Sequence, residues 1–209
     1  MMAKRGALII FEGCDRSGKT TQCQMLVNIL NTQGFKSSML RFPDRSTPIG
    51  KVCADYLQQS LELDDHAIHL MFSANRWELK SHILSLLKSG VNVIVDRYSF
   101  SGVAFSAAKQ GMDMEWCKKP EVGLPKPDRV IFLDLKEEVQ RKRGGYGGER
   151  YETEEMQKRV HSNYEKLIDG SWIVIDADKT PVDLHNELLI LVKGIISEER
   201  EEEVGKLWV

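Results

Sequence analysis

The segment Gly13-Cys14-Asp15-Arg16-Ser17-Gly18-Lys19-Thr20 satisfies the pattern G-x-x-x-x-G-K-[ST]. An apolar, strand-like run (Ala7 to Glu12) lies immediately before it, and a helix-like run (Thr21 to Asn31) immediately after. Strand, glycine-rich loop and helix in this order constrain the fold more than anything else in the chain. The glycines let successive backbone N–H groups turn inward around a phosphate chain, and the following helix aims its positive end at the same point. In such a loop Lys19 reaches the outer phosphates and the Thr20 hydroxyl is placed to hold Mg²⁺, while Gly13, Ser17, Gly18 and Thr21 complete the cradle. The expectation is a nucleoside-triphosphate site at one edge of an α/β sheet.

The rest of the pattern agrees. Short apolar runs at Ser38–Phe42, Val91–Val95, Arg129–Leu135 and Trp172–Ile175 alternate with longer segments of helical period, which predicts a parallel sheet covered on both faces. A length of 209 residues suits one α/β domain and is tight for two. With no internal repeat and no linker rich in Gly, Pro or Ser, a single domain over 1–209 is expected. Thr47-Pro48 and Thr180-Pro181 each read as an N-cap followed by proline at the first helical position. Asp65 to Lys88 repeats apolar residues (Ile68, Phe72, Leu79, Ile83, Leu86) at helical steps and reads as one long helix stopped by Gly90. Gly144-Gly145-Tyr146-Gly147-Gly148 reads as a mobile loop. The acidic run Glu198–Glu203 reads as a solvated helix end.

Charge removes one class of function. With 29 basic and 31 acidic residues there is no electrostatic footprint for nucleic acid, so positive character must be gathered locally where phosphates bind. The four cysteines form no C-x-x-C pair and suit a reducing compartment. No apolar run approaches the ~18 residues of a membrane span. The residues before the first strand are too few for a targeting peptide. A cytoplasmic protein is expected, with nuclear or mitochondrial pools left open.

Phosphate loops serve switches, motors and kinases alike, and other residues must choose. A guanine reader N-K-x-D is missing, which argues against a GTP switch. Asp96-Arg97-Tyr98 follows the third strand, at the sheet edge where α/β proteins bind ligands; a surface ion pair is the plainer alternative. Phe42-Pro43-Asp44-Arg45-Ser46 follows the second strand and brings an aromatic and an arginine to the same edge. Phe72 and Arg76 are four apart and share a helix face, one able to stack on a base and the other to donate to its rim. Taken singly, Phe72 also fits core packing and Arg76 a solvated face.

Read in order, FEGCDRSGKTTQ, FPDRSTPIG, FSANRWE, DRYSFSGVAFSAAK, GLPKPD and the terminal GKLW are similar to thymidylate kinases of the eukaryotic and poxviral type, from Gly6 to Trp208. The resemblance implies a P-loop kinase fold with five parallel strands in the order 2-3-1-4-5, a lid over approximately 136–157, a homodimer, and transfer of the ATP γ-phosphoryl group to dTMP with Mg²⁺. It also implies roles by motif position. Arg16 is the cation on the migrating phosphoryl group, and Arg143 and Lys179 flank the adenine. Asp15 bonds the deoxyribose 3′-hydroxyl, and Arg45 and Arg97 clamp the dTMP phosphate. Asp96 assists Mg²⁺ through water, while Phe42 and Gly102 belong to the dTMP pocket. Phe72 stacks on thymine and Arg76 donates to a pyrimidine carbonyl. Phe105 crowds the sugar's 2′ position, and Tyr151 and Gln157 approach the acceptor from the lid side. Two alternatives stand at this point: a deoxynucleoside kinase acting on thymidine, and a non-catalytic P-loop protein that binds nucleotide as a signal.

Overall fold

A computed structural model describes residues 5–143, 149–200 and 203–209; the glycine-rich loop at 144–148 lies outside them. Five strands, β1 (Leu8–Glu12), β2 (Ser37–Arg41), β3 (Asn92–Asp96), β4 (Arg129–Asp134) and β5 (Trp172–Asp176), pair in parallel in the order β2-β3-β1-β4-β5. Each lies within about a residue of the run expected from its apolar character, and the order is the expected one. β1 and β3 are buried along their whole length, which is why they read as continuous apolar runs rather than alternating ones. Alternate residues of β1 serve different cores: Leu8 and Ile10 pack with Val93, Val103 and Tyr164, while Ile9 and Phe11 pack with Leu26, Leu30 and Leu188.

The helices cover both faces. They are α1 (Lys19–Thr32), α2 (Pro48–Leu57), α3 (Asp65–Glu78), α4 (Lys80–Lys88), α5 (Ser99–Ser106), α6 (Met114–Lys118), α7 (Glu137–Lys142), α8 (Glu154–Leu167) and α9 (Pro181–Ser197). The proline-led starts are as read: Thr47 Oγ1 accepts from Gly50 N–H and Thr180 Oγ1 from Asp183 N–H. The segment Asp65–Lys88 departs from expectation, breaking at Leu79 into α3 and α4. There the Leu79 N–H turns to the Arg76 carbonyl three residues back, tightening the last turn of α3. No glycine or proline marks the spot, so the apolar period runs through it unbroken.

α9 stops at Ser197, earlier than the acidic run suggested, and Arg200 reaches back to the Ile195 and Ile196 carbonyls to close it. The chain then returns to the body: Leu207 exchanges backbone hydrogen bonds with Gly123 and Leu124, and Trp208 stands edge-on to Phe100 at 5.5 Å. Among the described residues no helix is long and apolar enough to cross a membrane.

Candidate active site

The carboxyl ends of β1, β2 and β3 meet at one edge of the sheet and deliver three loops to a common cavity. The first is the phosphate loop. Gly13 (φ 143°) and Gly18 (φ 96°) adopt left-handed backbone, and a Cβ on Gly13 would stand 2.6 Å from the Leu133 carbonyl oxygen. Gly18 starts α1 without a side-chain cap, leaving the first N–H groups of that helix for a ligand. Arg16 is also left-handed (φ 63°), a strain of order 1–3 kcal/mol for a side-chain-bearing residue. Its guanidinium meets Glu152 Oε1 at 3.0–3.1 Å, and its carbonyl accepts from Arg143 Nη1 at 2.8 Å. Lys19 curls over the loop, donating to the Cys14 carbonyl (2.6 Å) and Ser17 Oγ (3.1 Å). Burial, helped by nearby Arg97, lowers its pKa to about 8.

Behind Lys19, Asp96 closes β3 almost wholly buried. Its Oδ2 accepts from Thr20 Oγ1 at 2.5 Å, and its Oδ1 has no hydrogen-bond partner among the described residues. An unsatisfied buried carboxylate oxygen beside a phosphate-loop hydroxyl fits Mg²⁺, which keeps several waters and takes its other ligands from substrate phosphates. Among the described residues no group of three or more His, Cys, Asp or Glu is placed to hold a metal ion.

The third loop turns on Arg97, left-handed at φ 67°. Glu12, the last residue of β1, holds this turn: its carboxylate accepts from the N–H groups of Tyr98 (2.9 Å) and Ser101 (3.1 Å), from Ser101 Oγ and from the Tyr164 hydroxyl. A buried carboxylate from another element thus caps α5 where its own residues do not. Arg97 pairs with Asp15, donates to the Gly13 carbonyl and Ser101 Oγ, and lies 5.1 Å over the Phe105 ring. The other Asp15 oxygen accepts from Gln157 Nε2 at 2.7 Å, and Gln157 also donates to the Tyr151 carbonyl. Arg45 meets Glu149 at 2.8 Å, and Arg76 is gripped by Glu121 through Nε and Nη2.

The cavity these loops enclose is about 1050 Å³. Among its lining residues are Arg16, Gly18, Lys19, Thr20, Thr21, Arg143 and Lys179 from the phosphate-loop side, and Asp15, Phe42, Arg45, Phe72, Arg76, Arg97, Gly102, Phe105 and Tyr151. Four expected residues stand back from it. Gly13 and Ser17 shape the loop, Asp96 lies behind Thr20, and Gln157 sits behind Asp15. Phe72 is half-buried, so stacking surface and core packing share one ring. Lys179 is paired with Glu187 at the rim.

Four acids escaped the sequence reading: Glu12, Glu121, Glu149 and Glu152. Glu12 left a trace, a charge ending an otherwise apolar strand. The others have no local signature, since their arginine partners lie 45 to 136 residues away.

Comparison with known proteins agrees with this geometry. The family model for thymidylate kinase matches residues 11–188. The thymidylate kinase of Danio rerio is 49% identical and that of Homo sapiens 46%, each over the whole of both chains. A solved thymidylate kinase from Candida albicans superposes with a TM-score of 0.87 at 37% identity, covering 97% of this chain and 98% of the other. With a phosphate loop facing a cationic, aromatic-lined cavity and relatives that match it along its length, this chain belongs to the thymidylate kinase family.

Proposed function

We infer that this chain transfers the γ-phosphoryl group of ATP to dTMP, giving dTDP and ADP. One observation carries the reading beyond family membership: Lys19 and Arg97, cations suited to two different phosphates, open onto a single cavity. A deoxynucleoside kinase would have little use for the second of these, or for Arg45.

ATP phosphates lie along the 13–21 loop, with Lys19 turning from the Cys14 carbonyl to their outer oxygens and Arg143 and Lys179 toward the adenine. Thr20 would hold Mg²⁺ directly and Asp96 through water, the ion neutralising charge on the terminal phosphates. Arg45 and Arg97 grip the dTMP phosphate, which carries nearly two negative charges at neutral pH. Asp15, fixed from both sides by Arg97 and Gln157, accepts from the 3′-hydroxyl. Phe72 stacks on thymine, Arg76 donates to its carbonyl, and Phe105 with Tyr151, their rings 5.6 Å apart, crowds the 2′ position of the sugar. No strong base is needed, because the attacking phosphate oxygen is already anionic. Arg16 follows the phosphoryl group in flight; an arginine in that role is worth ~10³–10⁵ in rate. Glu149 and Glu152 pair with Arg45 and Arg16, so a phosphate bound at either cation competes with a carboxylate for it.

The same reading takes the chain as one domain working as a homodimer in the cytoplasm, with a nuclear or mitochondrial pool left open. The deciding experiment offers the purified protein ATP and Mg²⁺ with either dTMP or thymidine and follows ADP release. Turnover with dTMP is expected. Phosphorylation of thymidine alone, or tight ATP binding with no dTMP-dependent turnover, overturns the proposal.

A further inference from the structure

We propose that Glu121 is a positioning residue for nucleobase selection, holding Arg76 in the one orientation that reads a pyrimidine carbonyl. The proposal rests on Arg76 being the base reader. Arg76 and Glu121 are 3% and 0% exposed, and the carboxylate takes Nε and Nη2 together. A two-point grip fixes the guanidinium plane as well as its place. Nη1 has no protein acceptor among the described residues, and the side chain opens on the cavity. Both N–H groups of Nη1, together with the second N–H of Nη2, are therefore left to donate to a ligand.

Burial separates this pair from the other arginine–carboxylate contacts of the site. Arg45 and Glu149 are 38% and 42% exposed, a contact that water and salt loosen and a phosphate can replace. The Arg76–Glu121 pair cannot be opened without stranding a charge in the interior. It presents a fixed donor with no net charge, suited to a neutral carbonyl rather than to a phosphate. Cytosine places an amino donor where thymine has that carbonyl, and a guanidinium that cannot turn away rejects it.

The loop carrying Glu121 is fastened from three directions. Ser73 Oγ and Trp77 Nε1, both on α3 with Arg76, donate to the Pro120 carbonyl at 3.0 and 2.6 Å. Leu207 in the terminal GKLW motif bonds Gly123 and Leu124. The Tyr98 hydroxyl donates to the Pro125 carbonyl at 3.3 Å. Gly102 admits the guanidinium, since a Cβ there would lie 2.5 Å from Nη2. Such support is what a preorganised reading group requires.

The test compares kcat and KM for dTMP and dCMP, at saturating ATP, in Glu121→Gln, Glu121→Asp and Arg76→Lys. Glu121→Asp keeps the charge while withdrawing the carboxylate by one methylene, and it carries the test should Glu121→Gln fail to fold. A fall of tenfold or more in the dTMP-to-dCMP ratio is expected in all three, through dTMP KM and dCMP turnover, with ATP KM unchanged. Should Arg76→Lys leave the ratio untouched, the base-reading role of Arg76 fails. Should Arg76→Lys collapse the ratio while folded Glu121 variants keep it, or lower kcat for both acceptors alike, the inference about Glu121 is overturned and that about Arg76 survives.

Discussion

Gly102→Ala tests the acceptor pocket with a single methyl group. The new Cβ would stand 2.5 Å from Arg76 Nη2, 3.0 Å from Cζ and 3.2 Å from Nη1, whereas ordinary contact begins near 3.4 Å. Arginine ends usually swing aside cheaply, but this one is buried and held at two points by Glu121. The overlap is relieved only by moving the guanidinium by about 1 Å, and a misplacement of that size in a positioning group can cost ~10²-fold. At about 1.36 kcal/mol per decade this is roughly 2.7 kcal/mol of transition-state binding. The local backbone pulls the other way: alanine is favoured over glycine inside a helix by ~1 kcal/mol, so α5 should not lose stability. Steady-state kinetics with dTMP varied at saturating ATP, beside a thermal melt, should show kcat/KM for dTMP down by ten- to a hundredfold at an unchanged Tm. A kcat/KM within threefold of the parent, or a melt that drops by many degrees, would refute the argument: in the first case Arg76 is not pinned, in the second α5 yields instead.

Arg16→Ala should lower kcat by about two orders of magnitude or more while dTMP KM stays within a few-fold, since the group acts on the moving phosphoryl; a change in KM alone contradicts it. Lys19, held near pKa 8 by burial, should take up a proton when ATP phosphates raise that value, so ATP affinity falls as pH rises above about 8. Calorimetric heats at about pH 9 in buffers of different ionisation enthalpy check this, and identical heats would exclude it. The same shift sets a stability trend. Between about pH 8 and 10.5 the unfolded chain keeps a proton that the folded one has lost, so this group's penalty is full below pH 8 and is relieved as pH rises through that window. Glu12→Ala leaves the Tyr98 and Ser101 N–H groups without an acceptor, and one of the Ser101 and Tyr164 hydroxyls too, since these two can bond each other only once at 2.8 Å. At ~1–3 kcal/mol for each unsatisfied group, a loss of at least 3 kcal/mol is expected, visible as a clear drop in Tm. A melt unchanged within a degree would show that water replaces the carboxylate.

Much of the molecule was legible in the chain because its causes are local. A strand buried on both faces must be apolar throughout, so β1 and β3 announced themselves. Thr-Pro starts α2 and α9 because one hydroxyl and one fixed φ suffice. The phosphate loop is a contiguous device, and the loops bearing Arg45 and Arg97 follow strands whose ends the sheet must bring together. The break at Leu79 could not be read, because it rests on a hydrogen bond redirected within an unbroken apolar period.

What the tertiary structure alone decided is how each cation is restrained. Glu12 supports Arg97 through bonds spanning 86 and 89 residues, and Glu121 grips Arg76 across 45. Glu152 reaches Arg16 across 136. Such partners satisfy buried charge wherever the fold happens to bring a carboxylate near, and nothing in their spacing foretells it. Local order fixed which groups could meet a nucleotide; the packing of distant segments fixed the direction in which each one points.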